Sequence, residues 1–235
     1  MMSLALMLGA VLAVAQPEAQ PKASPAQTPF EQRLEAIDAR AAAVQDLTAD
    51  FEQQKKTPLL KRPLVSKGTV RVKGARTRWD TEQPRKTVMT IDSAELRIYY
   101  PEQKTVEVYP VAAGMSRLAA SPLPRLGVIR EHFAIEEVAA KEIDAGAKEG
   151  EVGMRLVPRE EGLKEHVAQV RVLVDAGGVG RKVEITDADG EVTTMVFTNV
   201  RVNTGVKEEE LVLKVPAGTR ESRPLSGGSG PEDRK

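Results

Sequence analysis

The strongest constraint on this chain is an alternation of apolar and polar residues that recurs in many short segments. A period of two places successive side chains on opposite faces of a strand, so each segment is predicted to be a half-buried β-strand. The segments are Leu47–Gln53, Gly68–Lys73, Leu96–Tyr100, Thr105–Tyr109, Val152–Leu156, Ala168–Val174, Val183–Ile185, Val192–Val200 and Leu211–Val215. Short links such as Pro101–Gln103 and the turn Asp187–Gly190 join neighbouring segments. Strands with hairpin-length links predict one large antiparallel sheet.

Two parts of the chain have helical spacing instead. Apolar residues recur every three or four positions at Phe30, Leu34, Ile37, Ala41, Val44 and Leu47, which predicts an amphipathic helix. Thr28 and Glu31 form a capping-box pattern at its start, with Pro29 in the first turn. Between Val111 and Val138 the alternation stops, and one or two short helices are predicted from Leu118, Leu123, Leu126, Ile129 and Phe133, broken by Pro122 and Pro124. Both helical parts are available to cover a curved sheet whose concave face encloses an aliphatic cavity.

The two ends of the chain differ in composition from its middle. Residues 1–15 carry no charge, are apolar from Leu4 to Val14 and end in Ala13-Val14-Ala15, which predicts a cleaved signal peptide. Residues 16–29 are rich in Pro, Ala and Gln, and residues 220–235 are rich in Gly, Ser, Pro and charge, so they are predicted to be a disordered spacer and a disordered tail. The remaining domain, residues 30–219, is expected to be soluble and periplasmic, in a compartment that permits disulfides although the chain has no cysteine.

Composition also argues against several kinds of chemistry. The chain has 34 basic and 34 acidic residues, so its zero net charge argues against nucleic acid as a partner. With no cysteine and only His132 and His166, a metal or haem site is close to excluded. The Gly-rich stretch Asp175–Gly180 joins two predicted strands and is interpreted as a hairpin connection rather than a phosphate loop.

The charges are nevertheless unevenly distributed along the chain. Gln54–Trp79 contains nine basic residues and no acidic one: Lys55, Lys56, Lys61, Arg62, Lys67, Arg71, Lys73, Arg76 and Arg78. The opposite bias occurs in Glu131–Glu165 and in Glu208–Glu210. Two interpretations stay open: solvated faces of a neutral protein, or a docking surface that attracts an oppositely charged partner, including anionic lipid headgroups.

A series of motifs through the domain resembles a known family. The motifs are Phe51-Glu52-Gln53, the Gly-led strand Gly68–Lys73, Arg78-Trp79 followed by Pro84, Leu96–Tyr100 ending before Pro101, Val196–Val200, and Leu211–Gly218. Their order is similar to that of the outer-membrane lipoprotein carrier family, the LolA-type periplasmic chaperones. The resemblance covers nearly the whole domain.

The resemblance implies an α+β fold: an incomplete, unclosed antiparallel β-barrel covered by the N-terminal helix and the short inserted helices. Its interior would hold the acyl chains of lipoproteins in transit from the inner to the outer membrane, with no chemical step and no cofactor. The implied partners are lipidated proteins, an inner-membrane ABC lipoprotein releasing complex and an outer-membrane receptor. The carrier is expected to act as a monomer.

The resemblance also indicates where the lipid-binding cavity should lie. Its predicted lining residues are Phe51, Val70, Val72, Trp79, Met89, Ile91, Leu96, Ile98, Tyr100, Val106, Val108, Leu126, Ile129 and Phe133. Trp79 is interpreted either as a plug of the core or as a wall of this cavity. Family members often have a basic residue followed by proline after the Gly-led strand, and that arginine is thought to hold the helical lid. Here the stretch is Lys73-Gly74-Ala75-Arg76, so Lys73 or Arg76 is the candidate lid residue.

Two other functions remain open at this level. A domain of the same fold could sense lipids or regulate a partner without carrying cargo. A hydrolase that uses His132 or His166 is a more distant alternative, because the sequence contains no G-x-S-x-G, P-loop, dinucleotide fingerprint or H-E-x-x-H motif.

Overall fold

A computed structural model of the protein describes residues 28–92, 94–110 and 122–224. The predicted signal peptide, the spacer up to residue 27, the predicted helical residue Leu118 and the tail from residue 225 lie outside the described residues. The helices are α1 (Pro29–Ala42), α2 (Leu126–His132), α3 (Ala140–Ile143), α4 (Glu161–Lys164) and α5 (Glu208–Leu211). The strands are β1 (Asp46–Lys56), β2 (Leu64–Lys73), β3 (Arg76–Gln83), β4 (Thr87–Ile91), β5 (Glu95–Tyr100), β6 (Thr105–Pro110), β7 (Phe133–Val138), β8 (Val152–Pro158), β9 (Val167–Val174), β10 (Gly180–Asp187), β11 (Val192–Val202) and β12 (Arg220–Ser222).

All twelve described strands form one sheet in the order β12-β6-β5-β4-β3-β2-β1-β11-β10-β9-β8-β7. Neighbours are antiparallel except β12, which pairs with β6 in parallel. The sheet does not close on itself within the described residues, because β12 and β7 lie at its two ends. The predicted α+β fold with an unclosed, mainly antiparallel sheet and a few helices is therefore confirmed.

An aromatic cluster lies at the centre of the sheet. Phe51 on β1 is directly opposite Phe197 on β11, and the Trp79 ring on β3 lies 4.7 Å from the Phe51 ring and 5.9 Å from the Phe197 ring. Gly68 on β2 faces Phe51, and a β-carbon there would collide with the backbone oxygen of Asp80 on β3. The glycine of the Gly-led strand is thus required by close backbone approach. We call the face that carries these rings the inner face of the sheet.

Helix α1 begins as the sequence predicts. The Glu31 amide donates to Thr28 Oγ1 over 3.2 Å, and the Thr28 amide donates to Glu31 Oε2 over 2.8 Å, so the capping box is formed. Leu34, Ile37 and Ala41 are buried. The helix ends at Ala42, earlier than the apolar spacing suggests, and Leu47 lies in β1. Helix α1 packs together with α2 over the part of the sheet formed by β8 and β9.

Two local predictions are wrong. Leu211–Val215 is not a strand: Leu211 belongs to α5, whose start is capped by a hydrogen bond from the Lys207 amide to Glu210 Oε1 over 3.0 Å, and the chain after Leu211 continues without regular structure. Phe133 is not helical, since α2 ends at His132 and Phe133 opens β7. In addition, β12 pairs with β6 at Arg220–Ser222, so the sheet extends past residue 219 into the segment expected to be a disordered tail.

The C-terminal arm, residues 203–222, crosses the outer face of the sheet. The backbone oxygens of Val206 and Val212 in the arm accept hydrogen bonds from Lys73 and Arg78, over 2.6 Å and 2.8 Å. Glu208 in the arm forms an ion pair with Arg76. Much of the predicted basic surface therefore lies between the sheet and the arm, where it is neutralised.

Asp46 attaches the start of this arm to β1. It is only 4% exposed, and its carboxylate accepts hydrogen bonds from the Thr204 amide (2.7 Å), the Thr204 hydroxyl (3.1 Å) and the Gly205 amide (3.0 Å). Burial by itself raises the pKa of Asp46, but hydrogen bonds from Thr204, Gly205 and Val206 outweigh it, and the pKa lies below its usual range. The carboxylate is therefore held ionised.

We expect Asp46→Asn to lower the free energy of unfolding by about 1–3 kcal/mol at neutral pH, because an amide replaces the buried acceptor. The pKa of Asp46 is lower in the folded state than in the unfolded state, where it is about 3.9, so the ionised carboxylate stabilises the fold above that pH. This contribution is lost as the pH falls from about 3.9 through the folded-state pKa. Urea unfolding of both proteins at several pH values measures the effect, and the two curves should converge towards pH 3. Asp189→Asn in the exposed β10–β11 turn is the control. A constant difference at all pH values would contradict this assignment.

Candidate functional site

A cavity of about 150 Å³ lies between the inner face of β8–β11 and the segment Pro122–Phe133. Its lining residues are Trp79, Pro122, Leu123, Pro124, Arg125, Ile129, Phe133, Leu156, Leu163, Val167, Val170, Val172, Gly180, Val183, Ile185, Met195 and Phe197. All of them are apolar or glycine except Arg125, the one charged side chain in this described lining. The cavity therefore offers an apolar ligand a surface with almost no directional polar contacts.

The register of the sheet builds the cavity wall. Val172 on β9 is opposite Val183 on β10, which in turn is opposite Met195 on β11. One step along the strands, Val170 is opposite Ile185. Because directly opposed residues share a face, these side chains form two adjacent rows on the inner face.

We call Pro122–Phe133 the roof of the cavity, and three of the hydrogen bonds that attach it to other elements involve Pro122, Arg125 and Leu126 near its start. The Gly180 amide of β10 donates to the Pro122 oxygen over 2.6 Å, and a β-carbon on Gly180 would lie 2.9 Å from that same oxygen. The Leu126 amide at the start of α2 donates to Asp38 Oδ1 of α1 over 3.1 Å. The Arg125 guanidinium donates to the Gly74 oxygen in the β2–β3 turn. The roof is thus tied to the wall, to α1 and to the far half of the sheet.

The predicted cavity residues divide into several groups. Trp79, Ile129 and Phe133 line the cavity. The buried core contains Phe51, Val70, Val72, Ile91 and Leu126, with Met89 and Leu96 packed against it and Ile98 half-buried on the same face of the sheet. Trp79 belongs to the central core and also forms part of the cavity wall, so both of its predicted roles apply to its position.

Val106 and Val108 were expected on the cavity side, and the register corrects this. They are opposite Tyr99 and Arg97 on β5, whereas Leu96 and Ile98 are on the other face with the aromatic cluster. Val106 and Val108 are nevertheless buried, so the outer face is covered here as well. Alternation within one strand shows that a face is buried, but it does not show which face.

Tyr100 lies on the inner face but far along the sheet, in polar surroundings. Its hydroxyl is 3.1 Å from Glu107 Oε2, which also accepts a hydrogen bond from Tyr109 over 2.9 Å. Burial, together with the hydrogen bond to Glu107, raises the pKa of Tyr100 to about 12, so the hydroxyl remains a donor. This end of the inner face is consequently not a purely aliphatic surface.

The two candidate lid residues contact the C-terminal arm instead of the roof. Lys73 donates to the Val206 oxygen, and Arg76 pairs with Glu208. In the contact between the roof and the turn from Lys73 to Arg76, the roof supplies the basic donor, Arg125, and the turn supplies the acceptor, the Gly74 oxygen. Sequence reasoning missed Arg125 because a backbone acceptor leaves no signal in the sequence.

Neither histidine lines the cavity. His132 Nδ1 is 2.7 Å from Glu160 Oε1 at the surface, and His166 is exposed just before β9. In the part of the chain that the structure describes, no cluster of three or more His, Cys, Asp or Glu side chains has metal-binding geometry. No helix among these residues is long and apolar enough to span a membrane.

Comparison with protein families agrees with this architecture. Residues 42–211 match the family model of the outer membrane lipoprotein carrier protein LolA. The chain belongs to the LolA family. A search of curated protein sequences finds no significant match.

Solved structures with a similar chain path are distant in sequence. An uncharacterized conserved protein from Thermus thermophilus is 12% identical, with a TM-score of 0.49 over 83% of this chain and 99% of that one. A LolA superfamily protein from Nitrosomonas europaea is 10% identical, with a TM-score of 0.42 over 78% of this chain and 97% of that one. The lipoprotein LppX from Mycobacterium tuberculosis is 8% identical, with a TM-score of 0.42 over 75% of this chain and 96% of that one. Membership of the LolA family rests on the family match.

Removal of the Arg125 guanidinium should loosen the roof. We expect Arg125→Ala to increase amide hydrogen exchange across Pro122–Phe133 by about two- to tenfold, the equivalent of one hydrogen bond. Arg130→Ala, on the exposed side of α2, is the matched control and should leave exchange unchanged. Mass-spectrometric exchange measurements on both variants test this, and equal exchange in the two would show that Arg125 does not hold the roof.

Proposed function

We propose that this LolA-family protein is a periplasmic carrier that binds the acyl chains of lipoproteins in its apolar cavity and transfers them from the inner to the outer membrane. The observation that carries the proposal is the roofed, almost wholly apolar cavity on the inner face of the sheet. Burial of each methylene group is worth about 0.8 kcal/mol, so acyl chains in water are strongly driven into such a site.

The proposal requires the cavity to enlarge when cargo binds. A cavity of about 150 Å³ is comparable to engineered protein cavities that hold one benzene molecule. The acyl chains of a lipoprotein are much larger, so they require the roof to move away from the wall. In the proposed loading step, the ties of the roof at Gly180, Asp38 and Arg125 are among the contacts that would break.

The chemistry of the lining suits a carrier with broad specificity. Aliphatic side chains attract any acyl chain without fixing its orientation, so recognition does not depend on the protein part of the cargo. Transfer needs no bond to be made or broken, and the exposed pair of His132 and Glu160 lies outside the lining. The proposed partners are lipidated proteins, an inner-membrane ABC lipoprotein releasing complex and an outer-membrane receptor, with a monomeric carrier passing between the two membranes.

A cavity-filling substitution tests the proposal. We expect Val170→Phe to reduce release of lipoproteins from spheroplasts by at least about tenfold, because the ring occupies space that acyl chains need. Val212→Phe, on the exposed C-terminal arm, is the matched control and should release as much lipoprotein as the wild type. Immunoblots of the soluble fraction measure release, and thermal unfolding verifies that both variants are folded.

Mass spectrometry of lipids extracted from the purified protein separates the remaining alternatives. A bound acyl lipid without any release of lipoprotein would contradict carriage and favour a lipid-sensing or regulatory module. Release by Val170→Phe equal to that of the wild type would show that this cavity is not the cargo site. Absence of both bound lipid and released lipoprotein would refute lipid binding altogether.

A further inference from the structure

The tip of the β1–β2 hairpin, residues 56–65, presents apolar side chains to solvent. Leu59 is 89% exposed and Leu64 55% exposed, and Leu60 and Val65 lie beside them in the chain and are also exposed. Elsewhere in the described ranges, large hydrophobic side chains are exposed only at Val202, Val212 and Val215. A cluster of exposed leucines is unusual for a soluble domain and marks a surface that binds something apolar.

The tip extends beyond β3 on one side of the hairpin, whereas on the other side β11 pairs with β1 as far as Lys56. Strand β1 pairs with β2 as far as Lys55 opposite Leu64, but β3 pairs with β2 only as far as Lys67. The residues between these strands form a turn in which the Leu60 amide donates to the Thr57 oxygen over 3.2 Å. The apolar side chains are therefore held away from the domain core, on a turn that also contains Pro58 and Pro63.

The charge of the tip differs from that of the rest of the basic stretch. Six of its nine basic residues are bonded within the fold: Lys55 to Glu191, Lys67 to Glu52, Arg71 and Arg78 to Asp80, Lys73 to the Val206 oxygen, and Arg76 to Glu208. The other three, Lys56, Lys61 and Arg62, are exposed and form no ion pair with any described residue. All three belong to the tip, so its uncompensated positive charge surrounds the exposed leucines.

We propose that this tip docks the protein on the surface of an anionic lipid bilayer. Leu59 and Leu60 enter the interface between headgroups and acyl chains, while Lys56, Lys61 and Arg62 contact the anionic headgroups. Apolar side chains ringed by basic ones are the combination that binds membrane interfaces. The inference goes beyond carriage of lipoproteins, since it concerns a surface outside the cavity.

The position of the tip gives the docking a consequence for the cavity. The tip lies at the end of β1, where Lys56 is opposite Val192 at the start of β11. At the same end of the neighbouring strands, Asp187 of β10 is opposite Val167 at the start of β9. Val167 and Ile185, which lie near these strand ends, line the cavity. A membrane bound by the tip thus faces the strand ends near which these two lining residues lie.

Sedimentation with lipid vesicles tests the proposal. We expect the full chain to bind vesicles that contain phosphatidylglycerol at low salt, and to bind vesicles of phosphatidylcholine alone far more weakly. Leu59→Ser combined with Leu60→Ser should weaken binding by at least about tenfold. Lys61→Gln combined with Arg62→Gln should weaken it by about 25-fold on phosphatidylglycerol, about fivefold for each charge. Val212→Ser combined with Val215→Ser, which removes exposed valines from the C-terminal arm, should bind like the wild type.

A fluorescent label locates the contact. Because the chain has no cysteine, Leu59→Cys and Ala75→Cys each accept a single polarity-sensitive dye, at opposite ends of β2. Emission from the dye at 59 should shift to the blue with phosphatidylglycerol vesicles, and emission from the dye at 75 should not. Equal shifts, equal binding to both kinds of vesicle, or wild-type binding by the doubly serine-substituted tip would overturn the proposal. Failure to bind vesicles combined with capture of a membrane protein by the tip would also overturn it, in favour of a protein partner.

These outcomes are separable from those that concern carriage. Val170→Phe alters the cavity and leaves the tip unchanged, so it should bind vesicles like the wild type even where it fails to release lipoproteins. The doubly serine-substituted tip should still yield bound acyl lipid if the cavity is the cargo site.

Discussion

The pairing of β1 with β11 is the contact on which the rest of this structure depends. Every other antiparallel pair of described strands joins strands that follow one another in the chain, so each half of the sheet is a series of hairpins. Only β1 and β11, paired from Leu47 opposite Val202 to Lys56 opposite Val192 with one register shift between Thr48 and Asp50, unite the halves into one inner face. Closing so long a loop costs conformational entropy that local hairpins do not. The rings of Phe51 and Phe197 and the buried carboxylate of Asp46 lie along this junction.

The cavity exists because two hydrophobic cores meet without merging. One core is centred on the aromatic cluster and the other lies under α1 and α2, and Trp79 and Ile129 from the respective cores both line the gap between them. Close packing normally eliminates such a gap. Here the roof lies across it and contributes to both cores, since Leu123 packs in the first and Leu126 and Ile129 pack in the second. Separating the roof from the wall would therefore expose apolar side chains of both cores unless an apolar ligand covered them.

The sequence was informative where local patterns determine structure and uninformative where distant parts of the chain meet. Alternation correctly indicated most strands, and Thr28 and Glu31 indicated the start of α1. The spacing of Leu211, Leu213 and Val215 suggested a strand, but the capping of Lys207 by Glu210 and the burial of Leu211 favour a short helix instead. The alternation of Val106 and Val108 suggested the inner face because it indicates a buried face, and on β6 the buried apolar face is the outer one. Pairing of Arg76 with Glu208 and of Arg78 with the Val212 oxygen joins residues far apart in sequence, so the local excess of basic residues overstated the exposed positive charge.

An open sheet has a hazard of its own, since a free strand edge can pair with another copy and nucleate aggregates. The parallel addition of β12 to β6 covers one such edge with only three residues, and Arg220, Glu221 and the neighbouring Arg223 place charges along it. At the far edge, β7 carries Glu136 and Glu137. The short parallel strand β12 thus hinders pairing of β6 with a strand from another copy of the protein. Its removal would expose the backbone of β6 as a template for self-association.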